Sequence, residues 1–206
     1  MTRAIVIVVV VALLAAGASI AYASTLGPVT AQHVTRYAAA STVPTSSCNA
    51  ADDYDTWIDA TNPTTKHGGT ATLRVNAQRP SYALLFFTPC APANAAIVGA
   101  TLGLYLGTSP NKQRTHEVHD ITSGWSNATT WSTQPSYSAT VAASALTGAD
   151  GSTTTWDLTA DVQAIVDGGT NDGWEIQDNG SGNGNALYDS LDGATQLPNL
   201  SITYYP

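Results

Sequence analysis

The chain has 206 residues, with 15 acidic side chains against 7 basic ones, a formal net charge of -8, and only 11% charged residues in all. No cluster of Lys or Arg occurs along it, so nucleic acid and acidic membrane surfaces are disfavoured as partners. Thr, Ser, Ala, Gly and Asn fill the sequence, and solubility rests on hydroxyls and amides rather than on charge.

In chain order, Arg3 precedes an apolar run from Ala4 to about Ala21, followed by the small-x-small pattern Ala21-Tyr22-Ala23. This predicts an export signal over residues 1–23, cleaved before Ser24; uncleaved, it would anchor the same domain to the membrane from outside. Residues 24–50 show no sustained period and read as a flexible lead-in. Residues 51–206 then form one domain, of a length that buries a single substantial core.

Within that domain the apolar residues recur at period two in short runs separated by Gly, Pro, Asn and Ser, the pattern of half-buried strands joined by turns. Ten strands are expected, over 53–59, 70–76, 81–88, 97–106, 115–122, 137–143, 153–159, 173–178, 186–191 and 199–205. The run over 97–106 is the clearest, with Val98, Ala100, Leu102, Leu104 and Leu106 on one face. One short helix is expected over 159–167, where Thr159 can cap, Val162, Ile165 and Val166 share a face, and Gly168-Gly169 ends it. The fold class is therefore all-β, an antiparallel jelly-roll β-sandwich with one short helix.

Two cysteines, Cys48 and Cys90, form one structural disulfide in an oxidising compartment, closing a loop of about 40 residues. No nucleophile elbow, phosphate loop or dinucleotide fingerprint occurs, and the chain is read as not an enzyme. His116-Glu117-Val118-His119 is one residue short of a zinc motif, and in a strand its two histidines point to opposite faces. Asp53, Asp55, Trp57 and Asp59 share one face of the first strand, which has two readings: a structural calcium held by Asp53 and Asp59, or a solvated acidic face. No other cofactor is implied. Five tryptophans and nine tyrosines against two phenylalanines favour aromatic groups with a polar edge, which suit stacking on sugar rings as well as half-buried packing. Trp57 and Asp55 are the candidate ligand-binding pair.

The order of segments also resembles bacterial DNRLRE-domain proteins and the related carbohydrate-binding module family 96. The landmarks are Asp53-Tyr54-Asp55-Thr56-Trp57-Ile58, Asn62-Pro63-Thr64-Thr65, Leu73-Arg74-Val75 and Ala83-Leu84-Leu85-Phe86-Phe87. After them come the run 100–106, Ser123-Gly124-Trp125, Trp156-Asp157-Leu158-Thr159 and Pro198-Asn199-Leu200-Ser201-Ile202. The chain departs from that pattern at Phe86 and Thr88, where relatives carry a basic and an acidic residue, and at Leu191-Asp192, where they often carry Arg-Glu. The resemblance implies a jelly-roll module exported to the cell surface or the medium.

Two functions follow as expectations. The first is a secreted, non-catalytic module that binds polysaccharide or another cell-surface component. The alternative is a structural or adhesive extracellular protein acting through protein contacts or self-assembly. The sequence leaves the oligomeric state open.

Overall fold

The computed structural model describes residues 45–48, 51–193 and 195–205. The export signal, its cleavage point and most of the lead-in lie outside the described residues. Among these residues are eleven strands: β1 (Thr45–Cys48), β2 (Tyr54–Asp59), β3 (Thr72–Val75), β4 (Ser81–Phe86), β5 (Ala96–Thr108), β6 (Thr115–Ile121), β7 (Tyr137–Leu146), β8 (Ser152–Asp157), β9 (Trp174–Asp178), β10 (Ala186–Asp189) and β11 (Asn199–Tyr205). Among the described residues one helix, α1 (Thr159–Val166), and a single 3-10 turn (Trp131–Thr133) complete the regular structure.

The strands form two antiparallel sheets, as the all-β sandwich reading requires. The first runs β1-β11-β5-β10-β3, with β8 also paired to β5; the second runs β2-β4-β9-β6-β7. Thr101–Gly103 of β5 pair with β8 and with β11 at once, so these two strands lie on opposite edges of β5. Farther along, Leu106 and Thr108 pair with β10.

Alternation along β5 supplies much of the core: Ala100, Leu102, Leu104 and Leu106 are all buried. Val98 does not follow them and is 52% exposed. The cause is a bulge. Thr203 pairs with Gly99 and Tyr204 with Ile97, so Val98 has no partner on β11 and the side-chain alternation shifts by one residue. Ile97, not Val98, then packs against the core. From the second sheet Ala83, Leu85, Val118, Trp174 and Ile176 meet this surface, with Trp156, Tyr188, Leu200 and Ile202 from the first.

Two polar groups buried inside that core bond to each other, while His116 Nε2 is buried without a partner. His116 Nδ1 lies 2.8 Å from the Tyr188 hydroxyl, and Trp156 Nε1 donates to the His116 carbonyl. Burial, with Arg114 nearby, pushes the His116 imidazole down to about 4, so it is neutral at ordinary pH. The helix α1 buries Val162 and Val166. Its Gln163 is tied at both ends of its amide, Oε1 accepting from Ile97 N and Nε2 donating to the Ala95 carbonyl. Thr159 does not cap the helix: its own N–H is bonded by Asp157 Oδ1, and its hydroxyl accepts from Ala100 N. Gly173, at φ 81, allows β9 to enter beside β4, since a Cβ there would lie 2.3 Å from the Leu85 carbonyl oxygen.

The end of the expected lead-in is a strand. Residues Thr45–Cys48 pair with Thr203 through Leu200 of β11, and Cys48 is bonded to Cys90. Cross-linking residues 42 apart in sequence removes freedom from the unfolded chain equivalent to about 3–4 kcal/mol. The double variant Cys48→Ser/Cys90→Ser is expected to lose most of that amount in urea unfolding, with an unchanged m-value.

Candidate functional site

The residues singled out in sequence on β2 are brought to the inner side of an edge strand. Asp55 is buried and accepts from Ser190 Oγ and from Leu191 N, both at 2.8 Å, which ties the second sheet to the end of β10 in the first. Burial raises its carboxyl to about 6, although these hydrogen bonds favour the anion. Trp57 packs against the main core; His67 stacks on its indole at 3.5 Å, the Arg74 guanidinium lies 4.7 Å from the ring centroid, and Nε1 donates to Thr70 Oγ1. An indole so covered closes the sandwich edge rather than presenting a bare ring.

Asp53 and Asp59 are not brought together. Asp53 Oδ1 accepts from Thr88 N, whereas Asp59 accepts from Thr61 N and Asn62 Nδ2 with Arg74 Nη1 at 4.0 Å. Burial pushes the Asp59 carboxyl up, but the bonds from Asn62 and Thr61 outweigh it and hold the group below its ordinary value. Six residues along an extended strand span about 20 Å, so one ion cannot bridge the pair. Among the described residues, no three His, Cys, Asp or Glu side chains converge as metal ligands.

The histidines of 116–119 point to opposite faces, as their spacing requires. His116 is in the core, whereas His119 is on the outer face of the second sheet, where Nδ1 lies 2.9 Å from the Ser138 carbonyl and Nε2 lies 3.8 Å from Glu117 Oε2.

That outer face carries a constellation the sequence did not reveal. Strand register lays Thr56, Leu84, Glu175, His119 and Val141 in one row across β2, β4, β9, β6 and β7. Beside it Ile58 pairs with Tyr82, and Gln177 pairs with Glu117, which faces Ser144. The loop 122–136 folds back over one side, where Trp125 and Trp131 pack on Ile58, Leu84, Ile121 and Tyr82. Tyr54 stacks on Phe86 at 5.0 Å and meets Trp125 edge-on at 4.6 Å. Tyr82 lies 5.1 Å from Trp131, and Tyr137 lies 5.5 Å from His119.

Away from the loop the face is open. Tyr82 and Trp131 are half-buried and Tyr137 is 39% exposed. Amides and carboxylates lie among these rings: Gln177 Nε2 donates to Glu175 Oε1 at 2.6 Å, and Asn179 Nδ2 donates to Glu117 Oε1 at 2.8 Å. Glu175, at the centre of the middle strand, is fully buried and its Oε2 has no hydrogen-bond partner. Burial therefore raises its carboxyl to about 7, against which the Gln177 bond is the smaller effect.

A second acidic grouping lines a cleft of about 290 Å³ between α1 and the start of β9. There Asp120 faces Asp161, whose carboxyl is raised by burial and by that neighbour and bonded by the Trp174 side chain.

Over residues 45–204 the chain matches a family model described as carbohydrate-binding module family 96. No curated protein matches it.

The Glu175 carboxyl has a sign that can be tested. Its folded value, about 7, lies above its ordinary 4.5, so the folded state favours the proton and stability from this group is lost as pH rises from about 4.5 through 7. Glu175→Gln is expected to leave stability nearly unchanged at pH 4 and to raise it by on the order of 2 kcal/mol at pH 8. Chemical unfolding of both proteins at the two pH values measures the difference, since the other shifted groups are common to both.

Proposed function

The chain belongs to carbohydrate-binding module family 96, and on that premise we propose that it binds polysaccharide non-covalently on the open outer face of its β2-β4-β9-β6-β7 sheet. The observation that carries this reading is the set of partly exposed rings Tyr82, Trp131 and Tyr137 on one sheet surface, with Gln177, Glu117 and Asn179 between or beside them. Pyranose rings present C–H faces that stack on such side chains, while their hydroxyls need donors and acceptors at the same height. Strand-borne residues hold these groups with little freedom to lose on binding.

The module acts outside the cell, delivered by the export signal at its N-terminus, and performs no bond cleavage of its own. Trp57 and Asp55 serve the fold: one seals the β2 edge and the other joins the two sheets. Binding by the purified protein is followed by affinity electrophoresis and pull-down with a panel of soluble and insoluble polysaccharides. Tyr137→Ala is expected to weaken retention by about 5- to 30-fold, equivalent to roughly 1–2 kcal/mol, and Trp57→Phe to leave it unchanged. Equal loss in both variants, or loss in Trp57→Phe alone, counts against this face.

A specific feature favours the second reading, contact with protein. Strand β7 is the outer strand of its sheet, ten residues long and without a charged side chain, with Val141 40% and Leu146 63% exposed. An edge of this kind accepts another strand. Light scattering across a concentration series separates the readings: a dimer lost in Val141→Lys supports edge pairing, and a monomer throughout removes it.

A further inference from the structure

Three of the five large apolar side chains exposed among the described residues, Tyr137, Val141 and Leu146, stand on the single edge strand β7. From residue 121 to residue 149 the sequence has no Asp, Glu, Lys or Arg, in a chain of net charge -8. The other sheet edges differ: β1 and β3 have four residues each, β8 ends in Asp157, and β2 carries Asp55 and Asp59. The inner side of β7 is also incompletely covered, since Ala142 and Ala143 border an open trough of about 630 Å³ shared with Ile97 and Ala160.

The register of β7 on β6 decides which side chains a further strand would meet. Val141 lies opposite His119, Ser144 opposite Glu117 and Leu146 opposite Thr115, and residues paired across antiparallel strands point to the same side. These three therefore face outward, as does Tyr137, which lies opposite Ile121 of the outer apolar cluster. Val141 and Ser144 are three positions apart because a bulge inserts Ala142 between them and shifts the alternation by one. A bulge ordinarily protects an edge by twisting it. Here it falls at the middle of the strand and makes the two halves complementary to each other. When two copies run antiparallel with Val141 opposite Ala142, Tyr137 meets Leu146 and Ala139 meets Ser144, outward side chain against outward side chain. A slip of one residue would set outward positions against inward ones.

We infer that β7 is a dimerisation edge, pairing antiparallel with β7 of a second copy about a two-fold axis between Val141 and Ala142. This names the occupant of the edge and rests on that edge being one that accepts a strand. Charge selects a second copy: an uncharged strand offers nothing to a basic or an acidic partner, and two acidic molecules repel each other least where both surfaces are neutral. The contact is isologous, so one self-complementary patch serves both copies. It runs along about 34 Å of strand, pairing backbone groups that otherwise bond water. A contact one strand wide lies at the small end of specific interfaces, below about 1,200 Å² in total, so the dimer is reversible and forms at high local concentration. Its two outer faces lie side by side as one ten-stranded surface.

Sedimentation velocity across a concentration series measures association of the purified wild type, of Val141→Lys, of Val141→Glu, and of an equimolar mixture of the two variants, with melting temperatures establishing that each is folded. A monomer–dimer equilibrium is expected for the wild type, weakened about ten-fold or more in either variant alone, where like charges meet at the axis. The mixture should recover it, since opposite charges then meet there. Ala139→Cys and Ser144→Cys, with the Cys48–Cys90 bond intact, test the register. Mild oxidation should cross-link a mixture of these two and neither one alone, because like positions would stand about 17 Å apart. Monomer at every concentration, or a dimer indifferent to both charge variants, overturns the edge reading and this inference with it. Three results overturn the two-fold pairing and leave the edge reading standing: assembly that both charge variants abolish but that grows beyond a dimer, no recovery in the charge mixture, or cross-linking by one cysteine variant alone rather than by the mixture.

Discussion

Strand β5 is hydrogen-bonded along both edges, and the placement of nearly every other element follows from that. Thirteen residues long, it pairs with β8 on one side and with β11 and then β10 on the other. Its inward leucines form the surface on which the second sheet packs. Through β11 it positions β1; through β10 it positions β3; through Gln163 its first residues hold α1. The second sheet is registered to this frame by packing and by one buried polar link, Asp55 to Ser190 and Leu191. A slip of β5 by one residue would reverse the faces of three partners at once, and the bulge at Val98 is where the chain absorbs the one change of phase it needs.

The second sheet shows what that frame leaves available. Its inner face is committed to the core. Its outer face is divided between a part closed by the loop 122–136, where Ile58, Leu84 and Ile121 meet Trp125 and Trp131, and a part left open. A leucine at position 175 would suit that row better than a carboxyl raised to about 7 by its own burial. A fold that accepts such a cost at the centre of its middle strand, with one oxygen unbonded, departs from the most stable choice at one defined place, and such departures concentrate where a surface has work to do.

How much of this was legible in the sequence depended on whether neighbours along the chain decided it. Ten of the strands announced themselves by alternation, and the opposite orientation of His116 and His119 followed from their spacing alone. Strand β1 did not announce itself, because Thr-Ser-Ser-Cys has no apolar period; it is a strand by virtue of β11 and the bridge to Cys90. The acidic face of β2 was correctly seen as one face but its surroundings were not, since His67, Arg74 and Ser190 come from elsewhere in the chain. The open face was hidden for the same reason. Tyr82, Glu117, Tyr137 and Glu175 belong to four strands and meet only through register. One local signal existed: Trp-Glu-Ile-Gln-Asp places a glutamate where a central strand would otherwise carry an apolar residue.

The pairing of β1 with β11 also determines how the domain bears load. Thr45 lies opposite Thr203, so the chain enters and leaves at the same end of one antiparallel ribbon. Tension between the flanking segments peels that ribbon open one rung at a time, the geometry with least resistance to force. The peel runs only four residues before reaching Cys48, where the bond to Cys90 passes the pull to the chain beyond β4. Any further yielding must strip β11 from β5 through its seven paired positions. A short covalent stop thus turns an easily unzipped edge into a latch.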